Sequence, residues 1–126
     1  MIKITIPINP TTKKNHGQIV TIKGRPIMLP SKPYQEYEKK CKEYMPKLDT
    51  PIDYPVNLRV LYFMGTRRKC DLTNLLQATC DVLVKHKVIA DDNYSIISSV
   101  DGSMVYYDKE NPRSEIYIEE FENEQV

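Results

Sequence analysis

The residues best suited to chemistry lie between positions 67 and 93. Arg67–Lys69 are three consecutive basic residues, Asp71 follows them, and Asp91 and Asp92 stand side by side further along. Adjacent carboxylates repel each other, so proteins usually keep them where a cation offsets their charge. Carboxylate oxygens completed by water suit Mg²⁺, and basic side chains suit phosphates. The stretch predicts a site that binds a divalent ion and phosphates together.

The same carboxylates also have ordinary structural explanations. Asp71 precedes an amphipathic run and is a good N-cap for a helix. Asp91-Asp92-Asn93 has the composition of a turn. A helix from Asp71 to His86 is about 22 Å long at ~1.5 Å per residue, so the acidic pair reaches Asp71 only if the chain folds back along the helix.

The surrounding elements predict one α+β domain over residues 1–126, with a mixed sheet and two main helices. Apolar residues at helical spacing predict a helix over Leu72–His86. Val56–Met64 reads as a central strand because its end is apolar on both faces, and Pro7 favours a sheet edge for the strand Met1–Ile8. The remaining expectations are a hairpin of Gln18–Ile22 with Pro26–Leu29, a helix capped by Ser31, a hairpin of Ile96–Val100 with Met104–Tyr107, and a last strand Glu115–Phe121.

Two polar or aromatic segments allow more than one interpretation. Tyr34, Tyr37, Cys41 and Tyr44 recur at helical spacing, which favours a core face over a platform for stacked bases. The loop at positions 9–17 contains Lys13 and Lys14, and it is either a surface connection or an arm that contacts phosphates.

Composition narrows the class of protein. Residues 1–69 hold 14 Lys/Arg against 5 Asp/Glu and residues 70–126 hold 4 against 12, so the halves carry about +9 and −8. This asymmetry indicates a polyanionic partner, unless the two halves neutralise one another in the fold. No apolar run is long enough for a membrane span or a signal peptide. Three cysteines without a CxxC pair and two histidines indicate a reduced, cytoplasmic protein without a zinc site.

Four motifs follow one another along the chain: Asp71–Leu76, Asp81–Leu83, Asp91–Asp92 and Asn111–Ile116, preceded by Ile6–Pro10 and Lys14–Asn15. Taken together and in this order, they resemble the RusA family of Holliday-junction resolvases. The resemblance implies a small homodimer, often phage-encoded, that acts in bacterial DNA recombination and repair. It implies cleavage of four-way DNA junctions by paired, Mg²⁺-dependent nicks, with Mn²⁺ as an alternative ion. It also implies that Asp71, Asp91 and Asp92 are catalytic metal ligands and that Asn74 supports them.

Two positions depart from the pattern of the family. Thr73 stands where a second catalytic aspartate is common, and Gln77 stands where a lysine is common. A variant metal site on Asp71, Asp91 and Asp92, with Asp81 as a further ligand, is one outcome, and weakened activity is the other. Three hypotheses follow: an active resolvase, a junction-binding protein with little or no cleavage, and a metal-free scaffold without a nucleic-acid role. In the first, phosphates are contacted by Lys13, Lys14, Arg67, Arg68 and Lys69.

Overall fold

The computed structural model describes residues 1–13, 18–29 and 31–122. Lys14, one of the residues expected to contact phosphates, lies outside these ranges. The strands are β1 (Ile2–Ile6), β2 (Gln18–Ile22), β3 (Arg25–Leu29), β4 (Val56–Met64), β5 (Ile97–Ser99), β6 (Met104–Tyr107) and β7 (Arg113–Glu120). The helices are α1 (Lys32–Cys41), which runs into a 3-10 turn at Lys42–Tyr44, and α2 (Leu72–Lys85). Within the described ranges, no helix has the length and apolar character needed to cross a membrane.

A mixed five-stranded sheet forms the centre of the fold. Its order is β1-β7-β4, with β5 and β6 both along the free edge of β4. β7 runs antiparallel to β1 and to β4, whereas β5 and β6 run parallel to β4. The expected central place of β4 and edge place of β1 are confirmed, as are the α+β class and the mixed sheet. β2 and β3 form a separate antiparallel hairpin, also as expected.

The expected hairpin of Ile96–Val100 with Met104–Tyr107 is wrong. These segments are two parts of one edge strand, and residues 100–103 bulge out between them. At the bulge, a polar side chain replaces the backbone hydrogen-bond partners that β4 lacks there. Ser103 Oγ accepts the N–H of Val60 (3.0 Å) and donates to the carbonyl of Leu58 (3.3 Å). Gly102, at φ 86°, packs so close to Arg59 that a Cβ there would lie 2.6 Å from its Cδ.

Both helices pack on the sheet face that carries the alternating apolar residues of β4. Tyr62 of β4 donates its hydroxyl proton to Thr79 Oγ1 of α2 (2.6 Å), because the Thr79 hydroxyl itself donates to the Leu75 carbonyl. α1 begins at the expected cap, where Ser31 Oγ accepts the N–H of Tyr34. Tyr34, Tyr37 and Cys41 are buried, so the tyrosine stripe is core, although Tyr44 is 39% exposed. The hydroxyl of Tyr34 also donates to the Ala78 carbonyl (3.5 Å), which joins α1 to α2.

α2 ends in a Schellman turn. The N–H of Val88 donates to the Leu83 carbonyl (2.9 Å) and the N–H of Lys87 donates to the Val84 carbonyl (3.1 Å). The residue at the left-handed position of such a turn is usually glycine, but here it is Lys87, at φ 61°. The chain then turns back, and Ile89 forms a parallel bridge with Ile52.

Candidate active site along helix α2

The first part of the site is the start of α2. Asp71 is the N-cap residue, yet its carboxylate makes no capping hydrogen bond. Instead, Asp71 Oδ2 accepts from Asn74 Nδ2 at 3.1 Å. The interpretation of Asp71 as a helix cap therefore accounts for its backbone but not for its exposed carboxylate. Thr73 is exposed in the same first turn.

The second part of the site is a pair of carboxylates joined by one amide. Gln77 Nε2 lies 3.1 Å from Asp81 Oδ1 and 3.1 Å from Asp92 Oδ2. The two oxygens are thus no further apart than twice that distance. Asp71, Asn74, Gln77 and Asp81 share one face of α2, since they follow one another at spacings of three or four residues.

Lys13 provides the positive charge nearest to this pair. Its ammonium lies 3.0 Å from Asp81 Oδ2 and 5.4 Å from the centre of the Tyr34 ring. A shallow pocket of about 220 Å³ between Lys13 and α2 is lined by Asn74 and Gln77, and so connects the two parts of the site. Phosphate contact by Lys13 stays a prediction, and the structure places its ammonium against the carboxylates.

Asp91 and Asp92 are adjacent in the sequence but have different hydrogen-bond partners. The chain after α2 folds back far enough for Asp92 to reach Gln77, six residues along the helix from Asp71. Asp91 lines the same pocket as Asp81 and Asp92, but its carboxylate is bonded within its own loop, where it accepts the N–H of Asp92 (2.7 Å) and the side-chain amide of Asn93 (3.0 Å). These bonds, that of the Asp92 N–H first, hold the pKa of the Asp91 carboxyl below its usual value. Asp91 therefore has the contacts of a turn residue that orients Asp92.

A buried thiol reports the negative charge of this region. Burial, and after it the nearby charges of Asp92 and Asp81, raise the pKa of Cys80 to about 12. The two carboxylates contribute because a carboxylate disfavours a second negative charge beside it.

The basic residues expected to contact phosphates lie on the segment between β4 and α2. Arg67, Arg68 and Lys69 are exposed there, and the guanidinium of Arg67 stacks 4.1 Å from the centre of the Tyr107 ring. The segment leads directly into the N-terminus of α2, where free N–H groups favour anions. Phosphates bound here would lie next to Asp71.

Two motifs that are far apart in the sequence meet at the base of this segment. Asn9 Oδ1 accepts the N–H of Gly65 at 2.9 Å, and a Cβ at Gly65 would lie 3.0 Å from Pro112 Cγ. Arg113 extends from there over the ring of Phe63 and forms ion pairs with Asp108 and Glu115. The sequence alone assigned no functional role to Asn9 or Arg113. The pattern that could have indicated them is the Asn-Pro dipeptide, which occurs at positions 9–10 and again at positions 111–112, directly before Arg113.

The donors present suit a hard divalent ion, but not as the expected set of three. Among the described residues, no group of three His, Cys, Asp or Glu side chains could hold a metal. Asp81 and Asp92 converge, and Gln77 would present an oxygen to the same point if its amide were turned over. Mg²⁺ commonly binds through one or two carboxylates and completes its shell with waters and substrate phosphates. Two carboxylates with an amide oxygen fit that requirement.

Comparison with known proteins gives one finding at the level of the family. A family model described as endodeoxyribonuclease RusA matches residues 7–119. No curated protein matches the chain. The match begins directly after β1, ends within β7 and includes both parts of the site, so the chain belongs to the RusA family of endodeoxyribonucleases.

Proposed function

We propose that this protein is a Mg²⁺-dependent endodeoxyribonuclease that resolves four-way DNA junctions by paired nicks, with Mn²⁺ as an alternative ion. The observation that carries the proposal is the convergence of Asp81 and Asp92 on Gln77, on the same face of α2 as Asp71. Basic residues flank both ends of this face, as a phosphate-binding enzyme requires. Family membership indicates a nuclease, and the arrangement of the face suggests where cleavage takes place.

In this proposal the side chains have distinct roles. Asp92 and Asp81 would hold the ion, which would supply Lewis-acid chemistry there by lowering the pKa of a water and polarising a phosphoryl oxygen. Asp71 lies where the DNA backbone reaches the helix start, and Asn74 orients its carboxylate. Asp91 keeps Asp92 in place through its loop hydrogen bonds. Phosphates beside Asp71 are bound by Arg67, Arg68 and Lys69, and further phosphates by Lys13 and its sequence neighbour Lys14.

A second function is favoured by the same Gln77. Its amide and the ammonium of Lys13 already offset the carboxylates in the place where an ion would bind. Thr73, in turn, supplies no negative charge. A protein with these features binds a junction through its basic residues and cleaves it slowly or not at all.

A nicking assay separates the two functions. A synthetic four-way junction, labelled on one strand at a time, is incubated with the protein in Mg²⁺, in Mn²⁺ and in EDTA. The nuclease proposal requires metal-dependent nicks at symmetric positions on two opposing strands, and their loss in Asp92→Asn and Asp71→Asn. Binding without nicks in either metal would overturn it in favour of the second function. Asp101→Asn, an exposed aspartate in the bulge of residues 100–103, is the matched control.

We further propose that the active form is a homodimer, because a two-fold axis places two identical sites on opposing strands. β6 supports this proposal. It is an edge strand, and Met104, Val105, Tyr106 and Tyr107 are 38% to 51% exposed. An exposed apolar edge strand is a template for pairing with another chain. Sedimentation equilibrium should give twice the chain mass of 14.7 kDa, and a monomer at tens of micromolar would refute the proposal.

A further inference from the structure

A lysine-rich groove adjoins the candidate active site. The groove, of about 790 Å³, runs between the end of α1 with its 3-10 turn and the end of α2. Its basic residues, called the groove lysines here, are Lys39, Lys42, Lys47, Lys85 and Lys87. Its floor is apolar, formed by Met45, Pro46 and Leu48. Of the residues that line it in the described part of the chain, Glu38 is the one acidic side chain.

The walls of the groove are held together across the two helices. His86 Nε2 lies 2.8 Å from the carbonyl oxygen of Glu38, and since a carbonyl only accepts, the imidazole donates. Lys85 pairs with the Glu38 carboxylate at 3.7 Å, which offsets the one negative charge in the lining. The other four groove lysines are exposed, so the groove has excess positive charge on a fixed frame.

Lys87 contributes its charge to the groove from an uncommon backbone conformation. It occupies the left-handed position of the Schellman turn, at φ 61°, where glycine is usual because side chains are strained there. Backbone strain of this kind is concentrated at functional sites. The strained conformation places a lysine in the lining of the groove.

The groove is continuous with the carboxylate site. Gln35, Glu38 and Lys85 line both the groove and the neighbouring pocket of about 500 Å³ that contains Asp81 and Asp92. A strand of nucleic acid can therefore pass from one to the other without leaving the surface.

We propose that the groove lysines bind the phosphate backbone of a DNA arm and guide it to Asp81 and Asp92. This inference rests on the proposed function, since it names a second DNA-contacting surface for the same site. Flexible lysines without base-reading side chains bind phosphates irrespective of sequence. Binding by the groove is thus independent of DNA sequence and sensitive to salt.

The test measures binding without cleavage. Affinity for a labelled duplex and for a four-way junction is measured in EDTA over a range of salt concentrations. The triple variant K42A/K47A/K87A should bind both more weakly. Its log–log salt slope should be shallower by as much as about 2.7, at about 0.9 for each phosphate that the variant no longer neutralises. The control K3A/K32A/K40A removes the same charge from lysines that do not line the groove, and it should change the slope by less than about 1.

A single substitution separates an effect on binding from an effect on folding. Lys87→Gly relieves the left-handed strain while removing one groove lysine, so it should weaken DNA binding without lowering the melting temperature. Equal slopes for the triple variant and its control would overturn the inference. The inference would also be overturned if the triple variant bound DNA as well as the wild type but no longer bound polyglutamate. That result would assign the groove to an acidic protein. Failure of the nuclease proposal would appear separately, as a junction that is bound with the full slope and never nicked.

Discussion

Replacing Lys13 with Ala should tighten the binding of Mg²⁺ and weaken the binding of DNA. In the free protein, the Lys13 ammonium is 3.0 Å from Asp81, and the two side chains are 44% and 25% exposed. A pair this exposed contributes about 0.2–1 kcal/mol. An ion that binds Asp81 must displace the ammonium, so its removal should raise Mg²⁺ affinity by at most about fivefold, because about 1.4 kcal/mol is a factor of ten. The salt slope for DNA should fall by about 0.9.

The two opposite effects can be measured on the same variant. Mg²⁺ affinity follows from the rise of the melting temperature with Mg²⁺ in the absence of DNA, since an ion that binds the folded state stabilises it. Lys85→Ala is the matched control, because it frees Glu38, a carboxylate that we do not assign to the ion. It should change Mg²⁺ affinity less than Lys13→Ala does. If Lys13→Ala binds Mg²⁺ no better than the wild type, Asp81 is not a ligand of the ion and the reasoning fails.

Three further perturbations test separate parts of the structure. Asp71→Asn should abolish most nicking while changing the free energy of unfolding by less than about 0.5 kcal/mol, because its side chain caps no helix N–H. A large loss of stability in urea would instead show that the carboxylate stabilises the fold. Ser103→Ala should cost about 1–3 kcal/mol, since it leaves an N–H and a carbonyl of β4 without their partner; an unchanged urea midpoint would contradict the bulge geometry. Hydrogen bonds from Arg113 hold the pKa of the Glu115 carboxyl below its usual 4.5. That contribution to stability is present above pH 4.5 and is lost as pH falls through the lower folded-state pKa. Arg113→Gln should therefore unfold with a weaker dependence on pH below 4.5 than the wild type, and identical pH profiles would refute this account.

Local patterns in the sequence predicted most of the elements. The alternation of Val56–Met64 identified β4, and the apolar spacing after Asp71 predicted α2 to within one residue of its observed end at Lys85. The turn-like Asp101-Gly102-Ser103 misled, because a local signal cannot distinguish a hairpin from a bulge in one edge strand. The distinction depends on β4, because the N–H of Val60 bonds to the Ser103 hydroxyl in place of a backbone partner on the edge strand. That interaction joins positions more than forty residues apart.

The site was predictable in its residue types but not in its contacts. A row of carboxylates on one helix face could be read from Asp71 and Asp81. Asp92 meets Gln77 while the carboxylate of Asp91 is bonded within its own loop. This difference depends on how the chain folds back after α2, where Ile89 forms a long-range backbone bridge with Ile52. No local pattern indicated that Lys87 adopts a left-handed conformation, since lysine rarely does so.

The first strand of this protein cannot take its place until the last one has been made. Ile2 pairs with Ile118, and β7 alone joins β1 to β4. During synthesis, one edge of β4 therefore stays unpaired until the ribosome has added β7. Unpaired strand edges can pair with other chains. Contacts between such distant positions also slow folding, because a long loop must close first. A chain that stops short of Arg113 should thus aggregate rather than fold into a smaller version of the domain.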